Sequence, residues 1–161
     1  MTSLFLGLTI ANLVALLTTI GLGYTAIGQA TWRPWHMLAG ALSALLCIAV
    51  HCVVFTYFIA TAKWVKHAVS VKRLDEAYAT PTRSFKAQAF PAALVAMLSV
   101  FLTAIFGAAV DNHMLAPAWH HAAALGAVTV NLVAAAIEYG AIGRNGRLID
   151  RILADAATAA A

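Results

Sequence analysis

The sequence predicts an all-α integral membrane protein, a four-helix bundle with both termini on the cytoplasmic side. Three observations carry this. The 161 residues are 63% hydrophobic and only 10% charged, where a soluble domain carries about 25% charged residues. Four apolar stretches are each long enough to cross a bilayer, which takes about 20 residues. The Lys and Arg residues flank those stretches, as orientation signals do.

The first stretch, 3–28, resembles a secretory signal in position. It lacks a basic leading region and its apolar run is too long, so it reads as a retained helix. Asn12, Thr19 and Gly23 fall on one helical face, which should point into the protein. In the link 29–34, Trp32 and Trp35 bracket Arg33 and Pro34. Tryptophan is enriched at headgroup level, so this is a membrane edge, and Pro34 suits a first helical turn.

The second stretch is read as a helix over 35–79. It leaves the membrane at a border of Tyr57, Lys63, Trp64 and Lys66 and continues as a cytoplasmic extension, with no breaker before Thr80 and Pro81. The third helix is read as 91–110, with Pro91 in its first turn. The fourth is read as 120–142, after a link marked by Trp119. A short amphipathic segment, 144–153, should lie on the membrane surface, and the alanine-rich residues from Ala154 onward should fray. The whole chain, 1–161, is a single transmembrane domain.

Charge sets the orientation. Lys63, Lys66, Lys72, Arg73, Arg83 and Lys86 follow the second span, and Arg144, Arg147 and Arg151 follow the fourth. By the positive-inside rule both regions are cytoplasmic, and only Arg33 is left outside. The expected location is a bacterial inner membrane, with the outer face toward the periplasm. A net charge of +4 does not point to nucleic acid, because no soluble basic face exists to hold it. Cys47 and Cys52 lie within the second span and read as small apolar packing groups rather than a disulfide.

The histidines carry the functional reading. His36, His113, His120 and His121 all fall at the outer end, beside Asp111 and Met114. Histidine is the commonest metal ligand, and a histidine and carboxylate group suits copper, zinc or iron. His120 and His121 point about 100° apart on a helix, so they do not share one metal in a regular helix, and spacing does not choose between them. His51 lies about 22 Å below His36 and Glu138 about 26 Å below His121, at similar depth; Met97 reaches about the same level. His120, Asn131 and Glu138 share one face of the fourth helix, with alanines between. An ionisable residue inside a membrane is a functional candidate by default. The competing structural readings are a direct His51–Glu138 hydrogen bond, or Glu138 snorkelling toward the headgroups.

Helix number and histidine placement resemble those of the small four-helix membrane cytochromes b, the b561-type proteins and superoxide oxidase among them. That resemblance implies haem b held by axial histidines and electron transfer between a quinol and a periplasmic redox partner. The candidate haem ligands are His36 with His120 or His121 at the outer end, and His51, alone or opposite Met97, deeper down. Those families carry paired histidines for two haems, whereas here the deep layer has only His51. Two other readings stand beside this one. The first is a membrane copper, iron or zinc protein using Asp111, His113, His120 and His121. The second is a cofactor-free structural or assembly subunit, whose small residues serve helix association, homo-oligomers included. The sequence lacks Cys-x-x-Cys-His and His-Glu-x-x-His, which disfavours covalent haem attachment and a metalloprotease of that type.

Overall fold

The computed structural model describes residues 1–158. Four long helices make up the fold: α1 (Thr2–Gly28), α2 (Arg33–Lys72), α3 (Pro81–Asp111) and α4 (Pro117–Thr158). All four are long and apolar enough to cross a membrane. Single 3-10 turns, Ala30–Trp32 and Glu76–Ala79, sit in the first two links. Each helix packs against its two neighbours around the ring, α1 to α2, α2 to α3, α3 to α4 and α4 back to α1, which leaves α2 and α4 facing each other on a diagonal. The α1–α2 and α3–α4 links meet at one end of the bundle, called here the histidine end. The termini and the α2–α3 link occupy the other, the terminal end.

Three boundaries differ from the sequence reading, each for a physical reason. The second helix stops at Lys72 rather than at 79, because Arg73 takes the left-handed conformation (φ 53°) and the Leu74 amide donates back to the Val69 carbonyl. This is a helix stop of the kind glycine usually makes. The third helix starts at Pro81, where a proline costs no hydrogen bond, and runs straight through Pro91. The fourth helix does not break at 142. The residues read as a separate amphipathic segment continue it, because Leu148 and Ile152 stay buried in the same apolar cluster as Val65, Val69 and Phe85. Residues 154–158, expected to fray, are the last turn of α4; 159–161 lie outside the described residues.

The core is divided by depth. Toward the terminal end, Phe5, Val54, Phe58 and Ile142 form a bulky apolar layer, each at most 1% exposed. Toward the histidine end a smaller cluster of Leu16, Cys47, Val100 and Ala127 fills the bundle. Between the helices alanine predominates: Ala89, Ala93 and Ala96 of α3 are wholly buried, which lets α3 approach its neighbours closely. The outward faces carry Leu, Ile, Val and Phe, among them Leu4, Leu45, Leu98 and Phe101. Large apolar side chains on the outward faces, with small residues and a polar minority inside, suit a lipid solvent.

Candidate histidine site and buried polar core

At the histidine end, the first turns of α2 and α4 bring His36 and His120 to face each other across the diagonal. Their ring centres are 6.1 Å apart and their planes are 77° from parallel. Each ring is held in the same way. His36 Nδ1 lies 2.9 Å from the Thr19 carbonyl on α1, and His120 Nδ1 lies 3.1 Å from the Thr103 carbonyl on α3. A carbonyl oxygen only accepts, so Nδ1 carries the proton in both rings. In the neutral imidazole this leaves Nε2 with its lone pair free, the tautomer that a metal ligand needs.

A glycine seats each ring. A Cβ on Gly23 would stand 3.0 Å from His36 Cε1, and a Cβ on Gly107 would stand 3.0 Å from His120 Cε1. A side chain at either position would push its imidazole by a few tenths of an ångström from where it reaches the carbonyl.

The two halves match in sequence as well as geometry. Thr19, Gly23, Trp35 and His36 recur 84 positions later as Thr103, Gly107, Trp119 and His120. The string Thr-x3-Gly-x11-Trp-His therefore occurs twice, once per helical hairpin. The signal lies in the sequence, in the spacing of Thr and Gly ahead of each Trp-His. The repeat matches His120, and not His121, to His36. His121 turns aside toward Tyr24 on α1, ring centres 5.5 Å apart.

The other outer candidates are placed differently. Asp111 is paired with Arg33, tying the two links of the histidine end together. His113 is exposed and takes φ 56°. Its amide donates to the Val110 carbonyl at 3.0 Å and the Met114 amide donates to the Ala109 carbonyl at 2.8 Å. Those two bonds are the Schellman ending of a helix, with His113 where glycine normally sits. Among the described residues, no three His, Cys, Asp or Glu side chains gather as a metal-binding group. Asp111, His113 and His120 or His121 are thus not brought together.

Deeper in the bundle lies a second polar layer. His51 Nδ1 is 2.8 Å from Glu138 Oε1, with the two side chains 3% and 0% exposed. Asn131 Nδ2 donates to the Ala127 carbonyl at 2.9 Å, which fixes its amide orientation. Its Oδ1 then accepts from Asn12 Nδ2 at 3.1 Å and from Cys47 Sγ at 3.4 Å, and faces His51 Nε2 at 3.5 Å. Both ring nitrogens of His51 are therefore engaged within the protein, and Met97 on α3 is only half-buried. Glu138 Oε2, Asn12 Oδ1, Thr9 Oγ1 and Asn145 Oδ1 are buried with no hydrogen-bond partner. Above this layer Ser43 Oγ and Thr19 Oγ1 are bonded at 2.8 Å, linking it to the seat of His36. Below it, toward the terminal end, Asn145 bonds Tyr57 and Thr61, both at 3.0 Å. His67 is exposed on the far side of α2.

The terminal end is basic. An open cleft of about 600 Å³ is lined by Lys66, Arg73, Arg83 and the single acid Glu76 among others. A smaller one of about 300 Å³ runs beside Arg144, Arg147 and Arg151. No protein-family model matches the chain, and no curated protein or solved structure is similar to it at a significant level.

Proposed function

We propose that the chain is an integral membrane redox protein whose histidine end binds haem b between His36 and His120. The observation that carries this is the facing, equivalently seated imidazole pair. With ring centres 6.1 Å apart and each Nδ1 proton held by a carbonyl, both imidazoles have an unprotonated Nε2 that would hold an iron. The donor set fits too: two neutral imidazoles suit an iron whose other ligands come from a porphyrin. Diagonal helices of a four-helix bundle are a common place for such a group. Haem iron held there would carry single electrons, with the axial ligands and their burial setting its potential.

The residues around the pair have their own tasks. The Thr19 and Thr103 carbonyls hold the tautomer and the ring angle. Gly23 and Gly107 make that angle sterically accessible. The Arg33–Asp111 pair braces the two links against each other. By the positive-inside rule, the terminal end, with nine of the ten Lys and Arg residues, faces the cytoplasm. In a bacterial inner membrane the site would then face the periplasm, within reach of a quinol in the lipid and a periplasmic electron acceptor.

A second reading has a copper or zinc ion draw in His121, whose ring centre is 6.4 Å from that of His120. The three rings do not gather as a metal site here, so the ion would have to bring His121 round from Tyr24. The absorption spectrum and metal content of the purified protein separate the two. Haem gives a Soret band with reducible α and β bands, lost in His36→Ala and His120→Ala and kept in His121→Ala. A colourless protein with stoichiometric copper or zinc, lost in all three variants, supports the second reading and overturns the first. Neither chromophore nor metal would leave the pair as a packing device and overturn both.

A further inference from the structure

We infer that His51 and Glu138 form a proton-exchange site inside the membrane, opening toward the histidine end and sealed from the terminal end. The inference stands on the deep layer alone and needs no haem. The hydrogen bonds fix where the protons are. Asn131 Oδ1 only accepts, so His51 Nε2 bears a proton. A second proton lies between His51 Nδ1 and Glu138 Oε1, as an N–H donating to a carboxylate or as an O–H donating to a neutral ring. Either form has no net charge, so the pair tolerates hydrocarbon surroundings that would reject a lone ion.

The pair is built to exchange that proton rather than merely to hold it. Glu138 Oε2 is buried and unpartnered, so one carboxyl oxygen remains to accept a hydrogen bond from an incoming donor. A group left unsatisfied at such cost calls for an explanation. Toward the histidine end, a row of polar groups runs beside the small apolar cluster of Leu16, Val100 and Ala127: Asn131, then Cys47 at 3.4 Å from its amide oxygen, then Ser43 one turn further along the same face of α2. Ser43 bonds Thr19, directly beneath the outer site. Toward the terminal end, the apolar layer of Phe5, Val54, Phe58 and Ile142 stands between the pair and the polar group of Asn145, Tyr57 and Thr61. The surrounding elements add one further titratable group, the Cys47 thiol on α2. From α1 come only Asn12 and Thr9, and α3 presents alanines. On release, the bond to the shared proton breaks, its electron pair stays on the Glu138–His51 pair, and the proton passes to water at the histidine end. Uptake is the reverse, and no electron moves.

The repeat of the outer residues does not extend to this depth: at the same offset His51 corresponds to Ala135 and Glu138 to Val54. One partner of the deep pair comes from each hairpin.

Infrared spectroscopy of the full-length protein tests this through the carboxyl C=O band, read in vesicles of uniform orientation. The band should change with pH on the histidine side, vanish in Glu138→Gln and shift in Glu138→Asp, which keeps the acid should the Gln variant fail to fold. The double variant Ser43→Ala, Cys47→Ala keeps the pair but should slow the response to a pH jump severalfold. A band that ignores pH would make the pair purely structural and overturn the inference. A band that follows the terminal side, or a double variant as fast as the wild type, would overturn the proposed opening.

Discussion

Gly23 offers the sharpest test of the seated-imidazole geometry. In Gly23→Ala the new Cβ would stand 3.0 Å from His36 Cε1 and 3.2 Å from its Nδ1, tight enough that the ring must give by a few tenths of an ångström. Overpacking of this kind costs about 1–3 kcal/mol. The same substitution at Gly21 meets nothing within 4 Å and gains helix propensity, about 1 kcal/mol. Free of ligand, the Gly23 variant escapes by swinging the imidazole away from the Thr19 carbonyl, losing a hydrogen bond worth about 0.5–1.5 kcal/mol. A ligand must pull the ring back, so the cost reappears as affinity. About 1.4 kcal/mol is a tenfold change, and Gly23→Ala should therefore bind haem about tenfold more weakly. Gly107→Ala should behave the same way, because His120 is seated identically, and Gly21→Ala should match the wild type. Haem titration of the three purified apoproteins, followed by absorption, gives the comparison. Equal affinities in Gly21→Ala and Gly23→Ala would refute the seat.

Three more outcomes follow from the geometry. His113→Gly should raise the unfolding midpoint, since the left-handed conformation costs a side-chain residue about 1–2 kcal/mol; loss of bound metal in that variant would instead make His113 a ligand. Glu138→Ala should destabilise the protein by about 3–5 kcal/mol by leaving His51 buried without its partner. Replacing both residues by leucine should recover most of that loss in the same denaturation assay, and a double variant as unstable as the single one would contradict the pair. Pro91→Ala should stabilise α3 by returning an amide that can reach the Ala87 carbonyl, an effect of up to about 3 kcal/mol; an unchanged midpoint would mean the helix already compensates.

The four helices were readable because a lipid solvent imposes long unbroken apolar runs, and composition reports these directly. The inward face of α1 was readable too. Asn12, Thr19 and Gly23 do point inward, onto Asn131, Ser43 and His36. Helix ends were harder to read. Arg73 and His113 stop their helices in a conformation that favours glycine, and neither residue type advertises it. Pro81 and Pro91 are equally good first-turn prolines. The polar run between them looked like a loop, although it is a helix whose Phe85 and Ala89 are buried. The glycines and arginines after Ile142 suggested a break, but the buried Leu148 and Ile152 hold α4 together through tertiary packing. At the site, the choice of His120 over His121 depends on helix phase, which rests on where α4 begins. The repeated Thr-x3-Gly-x11-Trp-His string could have decided it from sequence, since it marks His120 and passes over His121.

The duplication has a physical logic at the two depths. One ion between two identical donors is best served by two identical seats, and two copies of a helical hairpin running the same way supply them. Each hairpin contributes a threonine carbonyl, a glycine and a histidine, and the outer layer keeps all three in both copies. A shared proton makes the opposite demand. Two identical groups at the deep level would be two imidazoles or two carboxyls, and two like charges buried side by side repel. A neutral proton-sharing pair needs an acid on one side and a base on the other, so the repeat has to break there. Making the two groups alike tests this. Glu138→His would set two imidazoles side by side, and His51→Glu two carboxyls, where the present pair is 3% and 0% exposed. Either should fold poorly or not at all, whereas exchanging the existing pair, His51→Glu with Glu138→His, keeps one acid and one base and should be far better tolerated. If the exchanged variant is as damaging as the matched ones, side-chain shape rather than charge complementarity governs the deep layer.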